Sequence, residues 1–188
     1  MYEIDVEIVG TATLLQNRYP IEGNGNREAT TTEKDWSQSW RKALYSKDGI
    51  VVQPSGHILG SMTKAATSFK IQGKRGKTFK DAINSFVMIE PEYIPHGIPV
   101  PEELTEDADQ PIYVDVRPVV RGRARVVGYR PALKEGWKLQ FKIVCIDDGL
   151  PPQVLQDILI LAGRTVGIGD YRPRFGRFMV SKFDVCKN

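Results

Sequence analysis

The chain has 188 residues, a mass of 21.1 kDa and a formal net charge of +3, with 41% hydrophobic and 26% charged residues. This ordinary globular composition excludes collagen-like and wholly disordered chains, and the apolar runs are far shorter than the roughly 20 residues that span a bilayer. The length predicts one domain over residues 1–188. The cysteines at 145 and 186 and the histidines at 57 and 96 match no disulfide framework and no zinc-ligand spacing. We therefore expect a cytoplasmic protein without metal or cofactor.

The first third of the chain predicts a strand, a loop and two helices. Apolar and acidic residues alternate over 2–9, which is the period of a half-buried strand. Residues 21–34 hold turn formers and few apolar side chains, and predict a flexible loop. Residues 36–44 predict a short helix and 50–52 an extended segment. Residues 54–69 carry one apolar stripe on a 3.6-residue period, which predicts the second helix.

The middle of the chain predicts a basic turn, a strand, an excursion and a hairpin. Residues 73–77 form the turn, 82–89 the strand, and the Pro-rich acidic stretch 90–111 the flexible or inserted excursion. Over 116–126 the even positions hold apolar or small residues and the odd positions hold arginine, except for Val119. Apolar and polar residues alternate over 137–145, so the two segments are expected to pair. Residues 121, 123 and 125 would then place three arginines on one face of a strand.

The last part of the chain predicts a helix, a glycine-rich loop and a strand. The helix begins at Pro151-Pro152, carries an apolar stripe from Val154 to Ala162, and is expected to end at Gly163 as a C-terminal cap. The segment 163–178 holds four glycines and four arginines. It leads into a strand over 179–185.

This order of elements fits an α+β fold of the ferredoxin-like type. Such a fold is a four-stranded antiparallel sheet with helices on one face, and its other face is free for nucleic acid, as in RNA-recognition domains. A twisted half-barrel is the competing geometry.

The residues also carry a resemblance to a known family. Three features together resemble the RAMP superfamily: a helix with small residues, a basic hairpin, and a glycine-rich pattern before the last strand. The helix reads Ile58-Leu59-Gly60-Ser61-Met62-Thr63-Lys64-Ala65-Ala66, and the pattern reads Gly163-x3-Gly167-x-Gly169-x6-Gly176-Arg177-Phe178. These are the ferredoxin-like RNA-binding proteins of CRISPR effector complexes, which act in antiviral defence. The early helix is most similar to that of the backbone subunit, which polymerises along guide RNA. The resemblance spans residues 1–185 and implies an RNA-binding fold, self-association and other effector-complex subunits as partners.

Charge is unevenly placed along the chain. Residues 90–110 hold seven acids and no base, whereas 64–80 hold six bases and no acid. Residues 117–142 hold eight bases against Glu135, and 164–177 hold four arginines against Asp170. If the fold brings the three basic segments together, they form one cationic surface for a polyanion.

We therefore predict a non-enzymatic protein that binds single-stranded nucleic acid, RNA rather than DNA. Arginine and lysine side chains would contact phosphates, glycine would let backbone approach them, and aromatic rings would stack on bases. The predicted contacts are Lys74, Arg75, Lys77, Arg117, Arg121, Arg123, Arg125, Arg164, Gly167, Gly169, Tyr171, Arg172, Arg174, Phe175 and Arg177.

Other functions remain open at this stage. A phage-encoded single-strand DNA-binding or recombination protein would share most of the charge pattern. A metal-independent RAMP-type endoribonuclease would need a general acid or base such as His57, although a lone histidine is more often structural. A phage inhibitory or structural protein would show no salt-sensitive binding of nucleic acid.

Overall fold

A computed structural model of the chain describes residues 1–18, 36–122 and 124–186. The predicted loop 21–34 lies outside these residues. The elements in chain order are β1 (Tyr2–Gly10), β2 (Leu14–Leu15), α1 (Trp36–Ala43), β3 (Ser46–Lys47), β4 (Ile50–Pro54), α2 (Ser55–Ala66), α3 (Lys80–Phe86), β5 (Val87–Glu90), β6 (Tyr93–Pro99), β7 (Ile112–Arg121), β8 (Ala124–Leu133), β9 (Lys138–Cys145), α4 (Pro152–Thr165) and β10 (Phe178–Val185).

The central sheet has the strand order β10-β1-β9-β5, and its three strand pairs are antiparallel. β1 connects through α2 and α3 to β5, and β9 connects through α4 to β10. Ranked by position in the chain, the four strands therefore lie in the order 4-1-3-2. This is the ferredoxin-like arrangement, so the predicted α+β fold is confirmed.

The helices pack on one face of this sheet because both long helices are amphipathic. On β1, buried and half-buried residues alternate from Glu3 to Gly10, so one side of the strand faces the core. The buried residues of this layer include Ile4, Val6 and Ile8 on β1, Ile58, Met62, Ala65 and Ala66 on α2, and Leu155, Ile158, Leu159 and Ala162 on α4.

The hairpin predicted from 116–126 and 137–145 is wrong. β7 instead pairs with β8, from Ile112↔Leu133 to Arg121↔Ala124, and β9 lies in the central sheet between β1 and β5. The chain reverses at Gly122, whose φ of +64° suits glycine at a tight turn. The alternation across 116–126 therefore belongs to two strands and not to one.

Two other predicted elements differ from the structure. Residues 80–86 form α3, whose Ile83 is buried, so only residues 87–89 of the predicted strand 82–89 are extended, as part of β5. Within the predicted excursion 90–111, residues 93–99 form β6 and pair with β4. The rest of that stretch is a loop, which Leu104 anchors with 7% of its surface exposed.

Two small sheets complete the structure. One has the order β2-β8-β7 and the other β3-β4-β6. We call the β7–β8 pair the ribbon. Toward its turn, the side chains of Val116, Val120 and Val127 are exposed, at 37%, 71% and 54%, so this end of the ribbon stands away from the core.

Candidate nucleic-acid interface

The glycine-rich loop, residues 166–177, is built on glycines that have no room for a side chain. Gly167, Gly169 and Gly176 all have positive φ, between 69° and 78°. A Cβ on Gly176 would lie 1.7 Å from the Ile168 carbonyl oxygen, and a Cβ on Gly169 would lie 2.5 Å from that of Leu15. These glycines therefore pack the loop against itself and against β2.

Backbone hydrogen bonds fix the same loop. Ile168 N–H donates to the Gly176 carbonyl at 2.9 Å, and Asp170 N–H donates to the Leu15 carbonyl at 2.8 Å. The Gly167 N–H donates to the Ala162 carbonyl, and the Gly176 N–H donates to the Thr13 carbonyl, each at 2.8 Å. Because these N–H groups already have partners, the predicted phosphate contact through the backbone of Gly167 has no free donor, and the loop acts as a rigid platform for its side chains.

The ribbon contacts the loop through cation–aromatic packing. The Arg117 guanidinium lies 4.2 Å from the centroid of the Phe175 ring and 6.0 Å from that of Tyr171. Asp115 holds this guanidinium with a two-point ion pair. The structure therefore brings together three of the predicted contact residues, but the Tyr171 and Phe175 rings are half-buried and packed on arginine.

A largely buried ion pair joins the ribbon to the loop nearby. Arg130 Nε donates to Asp170 Oδ2 at 2.6 Å, and 9% of the Arg130 side chain is exposed. The same guanidinium lies 5.7 Å from the Tyr171 ring. Sequence analysis missed this contact, because the two residues lie forty positions apart and no local pattern links them.

The loop also forms a groove with the ends of two helices. The groove has a volume of about 300 Å³. It is lined by Lys64 from α2, Thr165 from α4, and Val166, Gly169, Asp170, Tyr171, Arg172 and Pro173. Lys64 belongs to the first basic segment and Arg172 to the third. Since Arg117 and Arg130 of the second segment contact Asp170 and Tyr171 of the same loop, all three basic segments meet at the glycine-rich loop.

The remaining arginines of the loop region face solvent. Arg164, Arg172, Arg174 and Arg177 are exposed, and Arg177 Nε donates to the Pro173 carbonyl at 2.7 Å. These side chains are free to contact a polyanion, and their contact with nucleic acid remains a prediction.

The expected row of three arginines on one strand face does not exist. Arg121 ends β7, Arg123 lies outside the described residues, and Arg125 pairs with Val120 on β8. Because paired residues share a face, Arg125 lies on the Val120 face of the ribbon and Arg117 on the other. Arg125 is exposed beside the apolar residues near the turn.

The basic turn predicted at 73–77 is exposed and internally hydrogen-bonded. An isolated bridge pairs Lys70 with Thr78, and Ile71 N–H donates to the Lys77 carbonyl at 2.9 Å. We call residues 70–78 the finger. It presents Lys74, Arg75 and Lys77 to solvent.

The free face of the central sheet has the wrong chemistry for nucleic acid. On β1 this face carries Glu3, Asp5 and Glu7. Glu3 pairs with Lys142 at 2.7 Å, and Glu7 accepts hydrogen bonds from Gln140 and Ser181, each at 2.7 Å. No aromatic residue occupies the positions that β1, β5 and β9 direct to this face, and the structure describes all of them. The expectation of a free RNA-binding sheet face is therefore not met, and the cationic surface lies at the loop.

A buried polar chain lies between β2, β4 and α2. Gln16 and Gln53 are 1% and 0% exposed. Gln16 Oε1 accepts from Tyr45 N–H at 2.9 Å, and Gln16 Nε2 donates to the Val52 carbonyl at 2.9 Å and to Gln53 Oε1 at 3.2 Å. Gln53 Nε2 contacts His57 Nδ1. No sequence motif predicted this chain of contacts.

The His57 ring contacts Tyr45 and Gln53. It meets the Tyr45 ring edge-on, with 5.4 Å between the centroids. Burial and the charge of Arg172 both lower the pKa of His57, so the ring is neutral at pH 7. The Arg172 charge therefore acts on the start of α2, while Arg172 itself lines the groove with Lys64.

In the described part of the chain, no helix is long and apolar enough to cross a membrane. No group of three or more histidine, cysteine, aspartate or glutamate side chains is arranged there to hold a metal ion. The cytoplasmic location and the lack of a metal remain predictions.

Comparison with known proteins rests on structure. No family model matches the chain, and no curated protein matches it. The chain is similar to one in the cryo-EM structure of type III-B Cmr-beta bound to cognate target RNA, with a TM-score of 0.56 and 12% identity. The match covers 99% of this chain and 61% of that chain, so this chain spans less than two thirds of its neighbour. The two proteins share a fold.

A second similar structure is a type IV-B CRISPR complex. The TM-score is 0.48 at 11% identity, and the match covers 99% of this chain and 91% of that chain.

Proposed function

We propose that this protein binds single-stranded RNA without cleaving it, as a CRISPR-associated subunit that assembles along the strand. One observation carries the proposal: the glycine-rich loop is the meeting point of three basic segments that are far apart in the sequence. Lys64 and Arg172 line the groove at the loop, and Arg117 packs on Phe175 and Tyr171 of the same loop. Exposed Arg164, Arg174 and Arg177 extend the same cationic region.

The cost of gathering these charges supports a polyanionic ligand. Like charges repel, and among the described residues neither Lys64 nor Arg172 has an ion-pair partner. A phosphate backbone would neutralise them and release its condensed counterions, which is the main source of affinity in sequence-tolerant binding. The exposed valines of the ribbon, with Arg125 beside them, offer an apolar surface for unstacked bases.

Two arguments favour RNA over DNA. The Cmr-beta structure that shares this fold holds a target RNA. The RAMP resemblance of the glycine-rich segment also implies RNA, and with it partner subunits of an effector complex.

A salt titration tests the proposal. Binding of labelled twelve-nucleotide RNA and DNA strands of mixed sequence is measured between 50 and 300 mM salt. Each neutralised phosphate adds roughly 0.7 to the slope of log affinity against log salt, so six contacts give a slope near −4. The double variant Lys64→Gln, Arg172→Gln should weaken binding about tenfold and reduce the slope. Lys138→Gln removes an exposed charge from the acidic sheet face and serves as the matched control.

The outcomes separate the candidate functions. Salt-sensitive binding of RNA with weaker binding of DNA supports the proposal. Preference for DNA supports a single-strand DNA-binding or recombination protein. Absence of binding at 50 mM salt contradicts both, and favours a structural or inhibitory protein. Metal-independent cleavage of the RNA that His57→Ala abolishes would establish the ribonuclease.

A further inference from the structure

We infer that His57 is locked in the tautomer that carries its proton on Nε2, and that this N–H donates to a phosphodiester oxygen of the bound strand. The inference deepens the proposed function and rests on it. It makes His57 a fixed hydrogen-bond donor at the start of α2, the helix whose Lys64 lines the groove of the glycine-rich loop.

Backbone groups determine the orientation of both glutamine amides. The Tyr45 N–H can only donate, so the Gln16 atom that it meets is the oxygen. The Val52 carbonyl can only accept, so the Gln16 atom that it meets is the nitrogen. Turning the Gln16 amide over would break both contacts at once.

The fixed Gln16 amide then determines the other two groups. Gln16 Nε2 donates to Gln53, so the Gln53 atom that it meets is Oε1, and Gln53 Nε2 is left to face His57. Since Gln53 Nε2 is a donor, His57 Nδ1 must accept, and the ring proton lies on Nε2. A proton on Nδ1 would point at the Gln53 amide N–H, so that two donors would face each other in a buried site.

The free end of this chain lies on the helix that reaches the cationic groove. No described residue accepts from His57 Nε2. Lys64, which lines the groove, lies seven residues after His57 and therefore on the same face of α2. The charge of Arg172, which also lines the groove, acts on the ring. A neutral N–H donor on the same helix face as a lysine presents donors and no acceptor, which suits an anionic oxygen. The fully buried hydroxyl of Ser61 also has no partner among the described residues, and it lies one helical turn beyond His57, between His57 and Lys64 along α2.

The same tautomer disfavours catalysis. A general base needs a free lone pair, and the only lone pair of this neutral ring lies on Nδ1, which Gln53 occupies. His57 therefore positions the strand and does not abstract the proton of a 2′-hydroxyl.

Nitrogen NMR of the parent protein tests the tautomer, and one variant assigns the signals. The chain has two histidines, so ¹⁵N–¹H correlation of the labelled protein at pH 7 shows two ring systems, and His57→Ala identifies one by its loss. We expect Nε2 of His57 to be protonated and Nδ1 to be unprotonated. A ring protonated on Nδ1, or one averaging between tautomers, overturns the inference.

Binding tests the contact with phosphate. His57→Ala should weaken binding of a twelve-nucleotide RNA about tenfold, as expected for the loss of one hydrogen bond to a charged group. His57→Gln keeps an N–H donor of similar reach and should stay within about threefold of the parent protein. Circular dichroism and thermal melting establish that both variants fold. The ring resonances of His57 should also shift when the RNA is added to the parent protein.

The results distinguish this inference from the proposed function. Salt-sensitive RNA binding that is unchanged in His57→Ala, with unmoved ring resonances, overturns the inference and leaves RNA binding in place. An effect of His57→Ala on RNA that is absent for DNA of the same length identifies the 2′-hydroxyl as the acceptor and overturns the phosphate contact. No binding of either strand overturns the contact together with the proposed function.

Discussion

At the scale of single residues, the buried ring of His96 has a consequence for stability. The ring lies edge-on to Trp137, with 6.1 Å between the centroids, and burial lowers its pKa to about 4. In the unfolded chain the pKa is close to 6.5. The unfolded state therefore binds a proton at pH 5 that the folded state does not, and this difference opposes folding.

We expect the free energy of unfolding to fall as the pH drops from 6.5 toward 4, by about 2 kcal/mol at pH 5 from His96 alone. Urea denaturation at pH 7.5 and 5.0 measures the change. His96→Phe removes the titrating group and should reduce the pH dependence to the part left by His57, whose pKa is also lowered. An equal loss of stability in parent and variant would show that His96 does not cause it.

Two helical glycines should respond in opposite directions to substitution by alanine. On α2, no atom of the described residues lies within 4 Å of a Cβ built at Gly60. Gly163 was expected to cap α4; it lies inside the helix, and a Cβ there would lie 2.2 Å from the Phe178 carbonyl oxygen. Gly163 thus allows α4 to contact β10.

Gly60→Ala should therefore raise the free energy of unfolding by about 0.5–1 kcal/mol, since alanine restricts the unfolded chain and favours the helix. Gly163→Ala should lower it by about 1–3 kcal/mol, because α4 must move away from β10. Urea denaturation of the two variants side by side gives both values. A loss of stability on Gly60→Ala would mean that α2 has a close neighbour at that position.

At the scale of elements, the ribbon and the glycine-rich loop form one unit. The Arg130–Asp170 pair and the Arg117–Phe175 contact both join the ribbon to the loop. The loop can hold its arginines in place because it is hydrogen-bonded to β2 and ion-paired to β8. This mutual support predicts that damage to the ribbon disturbs the loop.

Arg130→Met should lower the free energy of unfolding by about 2 kcal/mol, because it leaves the Asp170 carboxylate without its charged hydrogen-bond partner. Hydrogen exchange should accelerate at the loop amides, including Asp170, while β1 and β9 stay protected. Arg125→Met, on the exposed end of the ribbon, is the matched control and should leave the loop unchanged. Uniform acceleration over the whole chain would contradict a local role for the pair.

The elements that sequence analysis predicted well are those with a local signal. β1, α2, α4 and the last strand each bury one face, so side-chain periodicity identifies them. The partner of β9 could not be predicted, because strand pairing is non-local and the alternation at 116–126 ran through the turn at Gly122. The site was predicted only in part for a similar reason. Its arginines and glycines are clustered in sequence, whereas Gln16, Gln53 and Arg130 reach it through contacts between distant segments.

At the scale of the whole molecule, acidic and basic groups lie in different regions. The basic groups gather at the glycine-rich loop and the finger, whereas the free sheet face and the loop at 102–109 carry acids. Glu102, Glu103 and Glu106 are exposed, and none of the ion pairs among the described residues joins them to the finger. This acidic loop is anchored by Leu104 and by Lys134, which pairs with Asp109 at 3.1 Å.

These unpaired charges suit a contact between copies of the chain on one RNA strand. We expect the acidic loop of one copy to meet the finger of the next. This would be a head-to-tail contact, which extends along the strand unless its rotation closes a ring. We therefore expect the bound mass to grow with RNA length and binding to be cooperative.

Reversing Glu102, Glu103 and Glu106 to lysine should weaken this cooperativity by several-fold. The affinity for a strand that holds one copy should stay within about twofold of the parent value, since the acidic loop lies outside the proposed RNA contacts. Mass photometry on strands of 12, 24 and 48 nucleotides counts the copies. A second triple reversal, of Lys74, Arg75 and Lys77 to glutamate, added to the first should restore cooperativity if the two segments meet. One copy per strand at every length would mean that the acidic loop is only a solvated segment of the surface.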